Sequence, residues 1–437
     1  MSSNSKLKTS AFAASHSAAS ARRLQNSKLQ KLPKLLLNWF SQNARDLPWR
    51  RTRDPYAIWV SEIMLQQTQV KTVMPYWERW MRELPTIKAA ANASPDKIHK
   101  LWEGLGYYTR VRNLQKAAKQ IVAQHDSRLK IRRRRGNEAQ TKNKLETPHV
   151  VSYKFPDNFA DVLALPGIGR YTAGAICSIA FDQPVPILDG NVIRLLTRVF
   201  GIAKNPREKK TNTQLWQLAE NLVGRAVPSP LRRGRDRSSR GFAQANTVPY
   251  HSFLNQSLME LGALVCTPRN PKCQICPIKK LCDAFRENRI EELPNLGKRT
   301  AATTRRFIAF VVEHRGRFIV RQRPAGIVNA HLWEFPNVEC VKDKADAGQI
   351  FKTMFGVKPF GIRPLCTVKH SITRYRITLE AFHVSFGGPS STRPKNVETR
   401  RRGTPPSDIG IWLSPAKLDS LAFTSAHRKI LERLNPA

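Results

Sequence analysis

The sequence predicts a multidomain protein in which an all-α domain with a cysteine-bound metal centre precedes a smaller α+β domain. Residues 32–125 and 155–265 repeat apolar side chains every three or four positions, as in LPKLLLNWF and NQSLMELGALV, which is the spacing of amphipathic helices. From about residue 303 the pattern becomes an alternation, as in RYRITLEAFHV, which is typical of strands. A cluster of cysteines lies between the two regions. A chain of 437 residues is long enough for two or three domains.

The chain is strongly basic, with 74 Lys and Arg against 32 Asp and Glu and a formal net charge of +42. This excess favours nucleic acid as the partner, because each neutralised phosphate releases counterions. A basic surface that is merely solvated is the alternative. No apolar run approaches the roughly 20 residues of a membrane span, and no amphipathic or lipidated element is found, so no membrane partner is expected.

Shifts of composition predict the domain boundaries. The first 45 residues contain no Asp or Glu, which indicates a disordered basic arm or, alternatively, a transit peptide. Two later segments are basic, polar and poor in apolar residues, and are expected to be disordered insertions. The predicted segments are a basic arm at 1–31, a helical domain at 32–283 with insertions at 126–149 and 224–247, a linker at 284–302 and an α+β domain at 303–437.

The cysteines predict a metal centre, because seven is an odd number and four of them are crowded into seventeen residues. Their spacing is C-x6-C-x2-C-x5-C, and four thiolates suit either zinc or the corners of a [4Fe-4S] cluster. Zinc sites usually combine two short gaps and this motif has one, so the spacing favours iron and sulfur. Arg269 and Lys272 in the first loop predict contact with a nucleic-acid backbone. The four ligands are Cys266, Cys273, Cys276 and Cys282.

A glycine turn, LPGIG at 165–169, separates two predicted helices. Gly167 and Gly169 allow left-handed backbone angles and close approach, and the N-terminus of the helix that begins at Arg170 favours an anion. The turn is therefore a candidate phosphate site. A plain interhelical turn is the alternative.

Two carboxylates are candidates for chemistry. Glu62 is the single formal charge in YAIWVSEIMLQQTQV, and burial in such a helix would raise its pKa. Asp189 in PILDGNVIR is predicted to be the N-cap of a helix with Asn191 close by, and there it would stay ionised. Taken alone, each has a structural explanation: a tolerated surface Glu and a helix cap.

Together these motifs resemble the helix-hairpin-helix DNA glycosylases of the endonuclease III superfamily, and within it the MutY-type adenine DNA glycosylases. The shared motifs are LPWR, WVSEIMLQQTQV, LWEGLGYYTRVRNL, LPGIGRYTAGAI, PILDGNVIR and LMELGALVC, followed by the cysteines. The resemblance implies a base excision repair hydrolase with a [4Fe-4S] cluster. Its implied substrate is double-stranded DNA with adenine opposite 8-oxoguanine or guanine. It also implies a monomer in the nucleus or mitochondrion of a eukaryote, or in the bacterial cytoplasm.

Specific roles follow from the resemblance and from the chemistry of glycosidic bonds. Glu62 is expected to protonate N7 of adenine as general acid and later to help activate water. Asp189 would stabilise the sugar cation, by its charge or by transient covalent attachment, with Tyr171 and Asn191 orienting it. Tyr107 and Gln66 are expected at the gap that the flipped adenine leaves in the base stack and at the base opposite it.

Two positions argue against strand cleavage. Tyr171 stands where bifunctional relatives carry a nucleophilic lysine, and Ile193 replaces a lysine of the related motif DGNVKR. The alternatives are a glycosylase/lyase acting on oxidised pyrimidines and a non-catalytic DNA-binding protein. The extra C-terminal domain argues against the first, and the presence of both Glu62 and Asp189 argues against the second.

The C-terminal domain resembles the Nudix-like domain of this family in HLWEFPNVE, KHSITRYRITL and WLSPAKLDSLAF. The region after Phe335 lacks the Glu-rich helix with which Nudix hydrolases hold magnesium, so pyrophosphate hydrolysis is not expected. The resemblance implies that this domain reads 8-oxoguanine. Many members carry Phe-Ser-His where this chain has Ile372, Thr373 and Arg374, and Thr373 is expected to contact the lesion through its backbone and hydroxyl.

Overall fold

The computed structural model describes residues 4–136, 153–224, 250–297, 301–340, 346–372, 374–385 and 409–434. The chain divides into two compact units. Unit 1 is formed by Met1–Met81, Thr86–Lys88 and Lys116–Lys298, and unit 2 by Arg82–Pro85, Ala89–Gln115 and Arg299–Ala437. Unit 2 thus includes a segment of the region that the sequence predicts to be one continuous helical domain.

The described residues up to 286 are mainly helical, as the spacing of apolar residues predicts. Residues 89–115 of this helical part belong to unit 2. The helices are α1 (Asn4–Asn43), α2 (Pro55–Leu65), α3 (Val70–Glu83), α4 (Ile87–Asn92), α5 (Pro95–Trp102), α6 (Thr109–Gly136), α7 (Phe159–Leu163), α8 (Arg170–Phe181), α9 (Gly190–Val199), α10 (Lys209–Gly224), α11 (Tyr250–Leu264) and α12 (Asp283–Arg286).

Helix α1 extends into the segment for which the sequence predicts a disordered arm. Leu29 and Leu32 are each 2 % exposed, because the spacing of apolar residues that marks the following helix already begins here. The ammonium of Lys28 donates to the carbonyl of Val199 at 3.0 Å and pairs with Asp283. Residues 28–31 therefore belong to the folded unit.

The core of unit 1 is formed where α8, α9 and α11 pack together. Val192 and Leu195 of α9 and Leu258 of α11 are at most 2 % exposed in this core. The crossing of α9 and α11 is very close, since a Cβ added to Gly262 would lie 2.7 Å from the Cβ of Asn191. A larger residue at Gly262 would push the two helices apart.

The first predicted insertion begins inside α6, and the second begins where α10 ends. The described part of α6 continues to Gly136, so residues 126–136 of the first insertion are helical. Helix α10 ends at Gly224, where the second insertion was predicted to begin. The rest of both insertions lies outside the described residues.

The C-terminal part of unit 2 is a mixed sheet flanked by helices, in agreement with the predicted α+β class. Strands β1 and β2 are joined by a tight turn in which Arg315 and Gly316 have positive φ angles of 50° and 69°. Strands β1 and β6 run parallel, in the sheet order β3-β2-β1-β6-β5. The elements are β1 (Thr303–His314), β2 (Arg317–Gln322), β3 (Trp333–Glu334), β4 (Asn337–Glu339), α13 (Ala347–Phe355), β5 (Gly361–Ile372), β6 (Tyr375–Ser385), β7 (Ile411–Leu413), α14 (Pro415–Ser420) and α15 (Ser425–Leu434).

Both faces of this sheet are buried. Ala309 and Val311 of β1 belong to the core on one face, together with Ile430 of α15. Phe310, which points to the other face, packs against Phe351 of α13. Because successive side chains of β1 point to opposite faces of the sheet, this one strand contributes to a core on each face.

Among the described helices, none combines the length and apolar character that crossing a membrane requires.

Candidate active site

A cavity of about 620 Å³ opens in unit 1. Its lining comes from α2, α8, α9 and α11 and includes both carboxylates that the sequence analysis selects. Gly169 of the glycine turn also reaches it. The principal polar residues of the lining are Glu62, Gln66, Tyr171, Asp189, Asn191 and Glu260.

Glu62 lies on a helix that is buried almost throughout. Helix α2 begins after Asp54, whose carboxylate accepts from the amide of Tyr56, and its residues 56–64 are all buried. Glu62 is 5 % exposed and accepts a hydrogen bond at 2.8 Å from the hydroxyl of Tyr171. Burial raises the pKa of Glu62 to about 7, the hydrogen bond from Tyr171 opposes this rise, and the charge of Asp189 adds to it. Glu62 can therefore carry a proton near neutral pH.

Asp189 is the N-cap of α9, as predicted. Its Oδ1 accepts from the amide of Val192 at 2.7 Å, and its Oδ2 accepts from Nδ2 of Asn191 at 2.9 Å. Burial raises the pKa of Asp189, whereas the hydrogen bonds from Val192 and Asn191 lower it. Unlike Glu62, Asp189 thus has several donors directed at its charged form, because it sits at a helix N-terminus.

Asn191 is itself held by a buried arginine. Nη2 of Arg194 donates to Oδ1 of Asn191 at 2.8 Å and to the carbonyl of Gly262 at 2.7 Å. Nε of the same side chain donates to the carbonyl of Cys266 at 2.7 Å. The amide of Asn191 therefore has a defined orientation, with its nitrogen towards Asp189.

Tyr171 has a different partner from the one expected. Its hydroxyl donates to Glu62, and it also lies 3.3 Å from Sδ of Met259. The expectation that Tyr171 orients Asp189 is thus corrected: of the two residues proposed for that task, Asn191 makes the hydrogen bond. The partner could not be identified from sequence, since Glu62 and Tyr171 are 109 positions apart.

A third carboxylate in the cavity was missed by the sequence analysis. Glu260 on α11 is 1 % exposed and accepts hydrogen bonds from the guanidinium groups of Arg45 and Arg50, at 2.7 and 2.9 Å. Burial acts to raise its pKa, but these hydrogen bonds outweigh burial and hold the pKa at about 2. The available signal was the same as for Glu62, a single acid within the apolar helix NQSLMELGALV.

The glycine turn is open at the N-terminus of α8. Gly167 has a φ of 77°, and Gly169, the N-cap, contributes no side-chain cap. A Cβ added to Gly169 would meet nothing within 4 Å, so an anion has room to approach. Beside the turn, the guanidinium of Arg170 stacks 3.9 Å from the ring centroid of Trp216 and pairs with Glu220.

The two residues expected near the opposing base lie in different units. Gln66 lines the cavity, and its Nε2 donates to the hydroxyl of Thr172 at 3.4 Å. Its neighbour Gln67, which the sequence analysis did not select, is exposed and has a φ of 57°. Tyr107 in unit 2 is 47 % exposed with a φ of 46°, whereas Tyr108 is 2 % exposed and packs inside. Left-handed φ angles at non-glycine residues are concentrated at functional sites.

Of the remaining candidates, Arg269 and Lys272 are exposed on the loop between the first two cysteines. Thr373 lies outside the described residues. Its neighbours Ile372 and Arg374 flank the end of the β5–β6 hairpin, where Ile372 is paired with Tyr375.

The four cysteines line one cavity, together with apolar residues such as Val199 and Ile278. Nη1 of Arg198 lies 3.4 Å from Sγ of Cys266, which places a cation at one thiol. All four thiols are free of disulfides. Four thiols from one short segment line this cavity, with a cationic donor at one sulfur and an apolar surround, and this donor set suits an iron–sulfur cluster. The ligand set is Cys266, Cys273, Cys276 and Cys282.

Three family models match successive regions of the chain. The model of the HhH-GPD superfamily base excision DNA repair protein matches residues 60–221. The iron-sulfur binding domain of endonuclease III matches residues 266–282, and the NUDIX domain matches residues 308–433. The chain therefore carries an iron–sulfur binding domain between a glycosylase domain and a Nudix domain.

Individual relatives cover most of the chain. It is 31 % identical over 455 residues to the adenine DNA glycosylase of Homo sapiens, across 90 % of this chain and 72 % of that protein. It is 34 % identical over 308 residues to the adenine DNA glycosylase of Buchnera aphidicola subsp. Schizaphis graminum, across 70 % of this chain and 74 % of that protein. The solved structure of a thermostable thymine-DNA glycosylase is 25 % identical, with a TM-score of 0.45, across 60 % of this chain and 98 % of that protein. Because the two adenine DNA glycosylases match over more than two thirds of their length, the chain belongs to the MutY-type adenine DNA glycosylase family.

Proposed function

We propose that this protein is a monofunctional glycosylase that hydrolyses the N-glycosidic bond of adenine opposite 8-oxoguanine or guanine in double-stranded DNA. One observation carries the proposal: a buried acid with a pKa near 7, Glu62, shares a cavity with a second carboxylate, Asp189, whose charge it senses. Cleavage of a glycosidic bond needs a proton for the leaving group and a negative charge for the developing sugar cation.

In this mechanism Glu62 protonates N7 of adenine, which makes the base a better leaving group. Tyr171 holds the carboxyl of Glu62 by its hydrogen bond. Asp189, oriented by Asn191, faces the sugar and stabilises the oxocarbenium charge or attaches to it transiently. Glu62, ionised after the transfer, then accepts a proton from the attacking water.

The adenine must leave the duplex to reach the cavity, at a cost of about a few kcal/mol that a mispair lowers. A cavity of about 620 Å³ has room for a flipped base. Glu260, ionised at neutral pH, can accept from the exocyclic amine of adenine, and Arg45 or Arg50 can donate to a ring nitrogen.

Monofunctional chemistry is supported by the residue at the start of α8. A lyase forms a Schiff base through an amine, and here the corresponding position is Tyr171, whose hydroxyl is engaged with Glu62. The described residues that line the cavity include no lysine. Water is therefore the proposed nucleophile in the overall reaction.

DNA would be held by the glycine turn and the basic loop beside the cysteines. The open N-terminus of α8 at Gly169 is suited to one phosphate, and exposed Arg269 and Lys272 to others. Gln66 and Tyr107 would act at the opposing base and the vacated stack. Thr373 stays a prediction for contact with 8-oxoguanine. Of its described neighbours, Arg374 stacks on Tyr375.

We further propose that the cluster is [4Fe-4S], because the spacing has one short gap where zinc sites usually have two. Such a cluster would hold the loop carrying Arg269 and Lys272 in its DNA-binding shape. We also propose that the protein acts as a monomer. The substrate would place the protein with the DNA of a nucleus, mitochondrion or bacterial nucleoid.

A duplex with adenine opposite 8-oxoguanine tests the proposed activity. Cleavage at the adenine only after alkali is expected, whereas cleavage without alkali would show a lyase and overturn the monofunctional assignment. Glu62→Gln should slow excision by about 100-fold or more, the range of general acid catalysis. Glu78→Gln, at an exposed carboxyl of α3, is the matched control and should not change the rate. Iron and sulfide analysis tests the cluster, and zinc without iron would contradict it.

A further inference from the structure

The loop that carries Tyr107 is held by hydrogen bonds within unit 2. It connects α5 to α6 and contains three positive φ angles, at Gly104, Gly106 and Tyr107. Nε1 of Trp102 donates to the carbonyl of Gly106 at 3.0 Å. Arg110 donates to the same carbonyl at 3.1 Å, and its guanidinium lies 5.8 Å from the centroid of the Tyr107 ring. The loop is therefore tied to the ends of α5 and α6.

The ends of these two helices are fastened to the Nudix-like part of the same unit. Oε1 of Glu103 accepts from the amide of Phe423 at 2.9 Å, and its Oε2 pairs with Lys100 at 2.7 Å. Lys100 also donates to the carbonyl of Leu421 at 3.2 Å. One turn into α6, Nη1 of Arg112 donates to the carbonyl of Ala330 at 3.0 Å.

The partners of these side chains belong to the core of the sheet domain. Phe423 is 0 % exposed and packs on Phe335 with ring centroids 5.7 Å apart. The segment around it is joined to β3, because Trp333 donates to Ala422 and accepts from Thr424. The contacts therefore reach the sheet itself and are not confined to a loose surface loop.

We propose that Lys100, Glu103 and Arg112 are positioning residues that couple the Nudix-like domain to the Tyr107 loop. This inference rests on the proposed function, in which that domain reads the base opposite adenine and Tyr107 fills the vacated stack. Engagement of 8-oxoguanine then sets the position of Tyr107 through Glu103 and Arg112. This coupling makes the enzyme prefer adenine opposite 8-oxoguanine to adenine opposite guanine.

The physical basis is the cost of losing a charge-assisted hydrogen bond. The side chain of Glu103 is 13 % exposed. If its carboxylate is removed, water cannot readily take its place as the acceptor for the amide of Phe423. Glu103→Gln keeps an acceptor for that amide and loses the ion pair with Lys100, and so serves as the conservative variant. Lys97→Ala is the control, since Lys97 on the same helix makes an exposed ion pair with Glu83 at 3.2 Å.

Hydrogen exchange of the full-length protein tests the coupling without reference to activity. Glu103→Ala and Arg112→Ala should each raise amide exchange in residues 104–108, whereas Glu103→Gln should change it less and Lys97→Ala not at all. If exchange in 104–108 stays at the wild-type level in both alanine variants, the coupling does not exist and the inference is overturned.

Single-turnover excision tests the consequence. The ratio of the rates for adenine opposite 8-oxoguanine and opposite guanine should fall about tenfold in Glu103→Ala, the equivalent of one charge-assisted hydrogen bond. Glu103→Gln should restore most of the ratio. A general loss of fold would lower both rates alike, and an unchanged ratio would refute the role in specificity. If wild-type protein excises adenine from neither duplex, the proposed function fails, and the exchange experiment still decides the coupling.

Discussion

Replacing Tyr171 with phenylalanine should move the pH dependence of excision to higher pH. The hydroxyl of Tyr171 donates to Glu62 at 2.8 Å and so favours the charged form of this acid, against the effect of burial. A hydrogen bond to a charged group contributes about 1.5–3 kcal/mol, and one pH unit corresponds to about 1.36 kcal/mol. Without the hydroxyl, the pKa of Glu62 should rise from about 7 by about one to two pH units.

The sign follows from the role of Glu62 as a proton donor. Activity falls as pH rises through the pKa of Glu62, so a higher pKa moves this alkaline limb upwards. Single-turnover rates measured between about pH 5 and 9 locate the limb. Tyr250→Phe is the control, because the Tyr250 hydroxyl is buried without a hydrogen-bond partner among the described residues. An alkaline limb that stays in place, or moves to lower pH, in Tyr171→Phe would refute Glu62 as the general acid.

Three further predictions concern stability. Burial raises the pKa of Glu62 in the folded protein from 4.5 to about 7. The contribution of Glu62 to stability is therefore fully present below about pH 4.5 and is lost as pH rises to about 7. Above about pH 7, Glu62→Gln should raise the free energy of unfolding by about 3 kcal/mol in denaturant titrations. Gly262→Ala should destabilise the fold by about 1–3 kcal/mol and reduce excision, because the new Cβ displaces Asn191. Glu260→Ala should cost about 3 kcal/mol of unfolding free energy in urea titrations, because it leaves Arg45 and Arg50 without their buried partner.

Each of these predictions has a matched comparison. Glu62→Gln should show no gain in stability at about pH 4.5, and an equal gain at every pH would contradict the assigned pKa. Gly224→Ala adds a Cβ that meets nothing within 4 Å, so it should not reproduce the effect of Gly262→Ala. For Glu260, the exposed pair of Arg51 and Asp46 is the comparison, and Asp46→Ala should leave the unfolding free energy nearly unchanged.

Features that depend on neighbours in sequence were predictable. The N-cap at Asp189, the helix start at Arg170 and the strand alternation after residue 303 all follow from local backbone and side-chain preferences. The raised pKa of Glu62 was predictable for the same reason, since an apolar helix is buried whatever it packs against.

Features that depend on distant contacts were not predictable. Nothing local indicates that the hydroxyl of Tyr171 meets Glu62 instead of Asp189. The link between Arg45 and Glu260 joins residues 215 positions apart. The grouping of residues 89–115 with the C-terminal sheet also has no signal in sequence spacing.

The sequence by itself identified most of the groups that matter: two of the three carboxylates, the glycine turn, four cysteines and a second domain without a magnesium-binding helix. Only the tertiary structure decided which of these groups meet and what protonation state their surroundings favour. The physical reason is that helix propensity and capping act over a few residues, whereas hydrogen bonding and desolvation in a cavity depend on segments that are far apart in the chain. Glu62 shows both parts: its burial follows from its own helix, and its hydrogen-bond donor comes from α8.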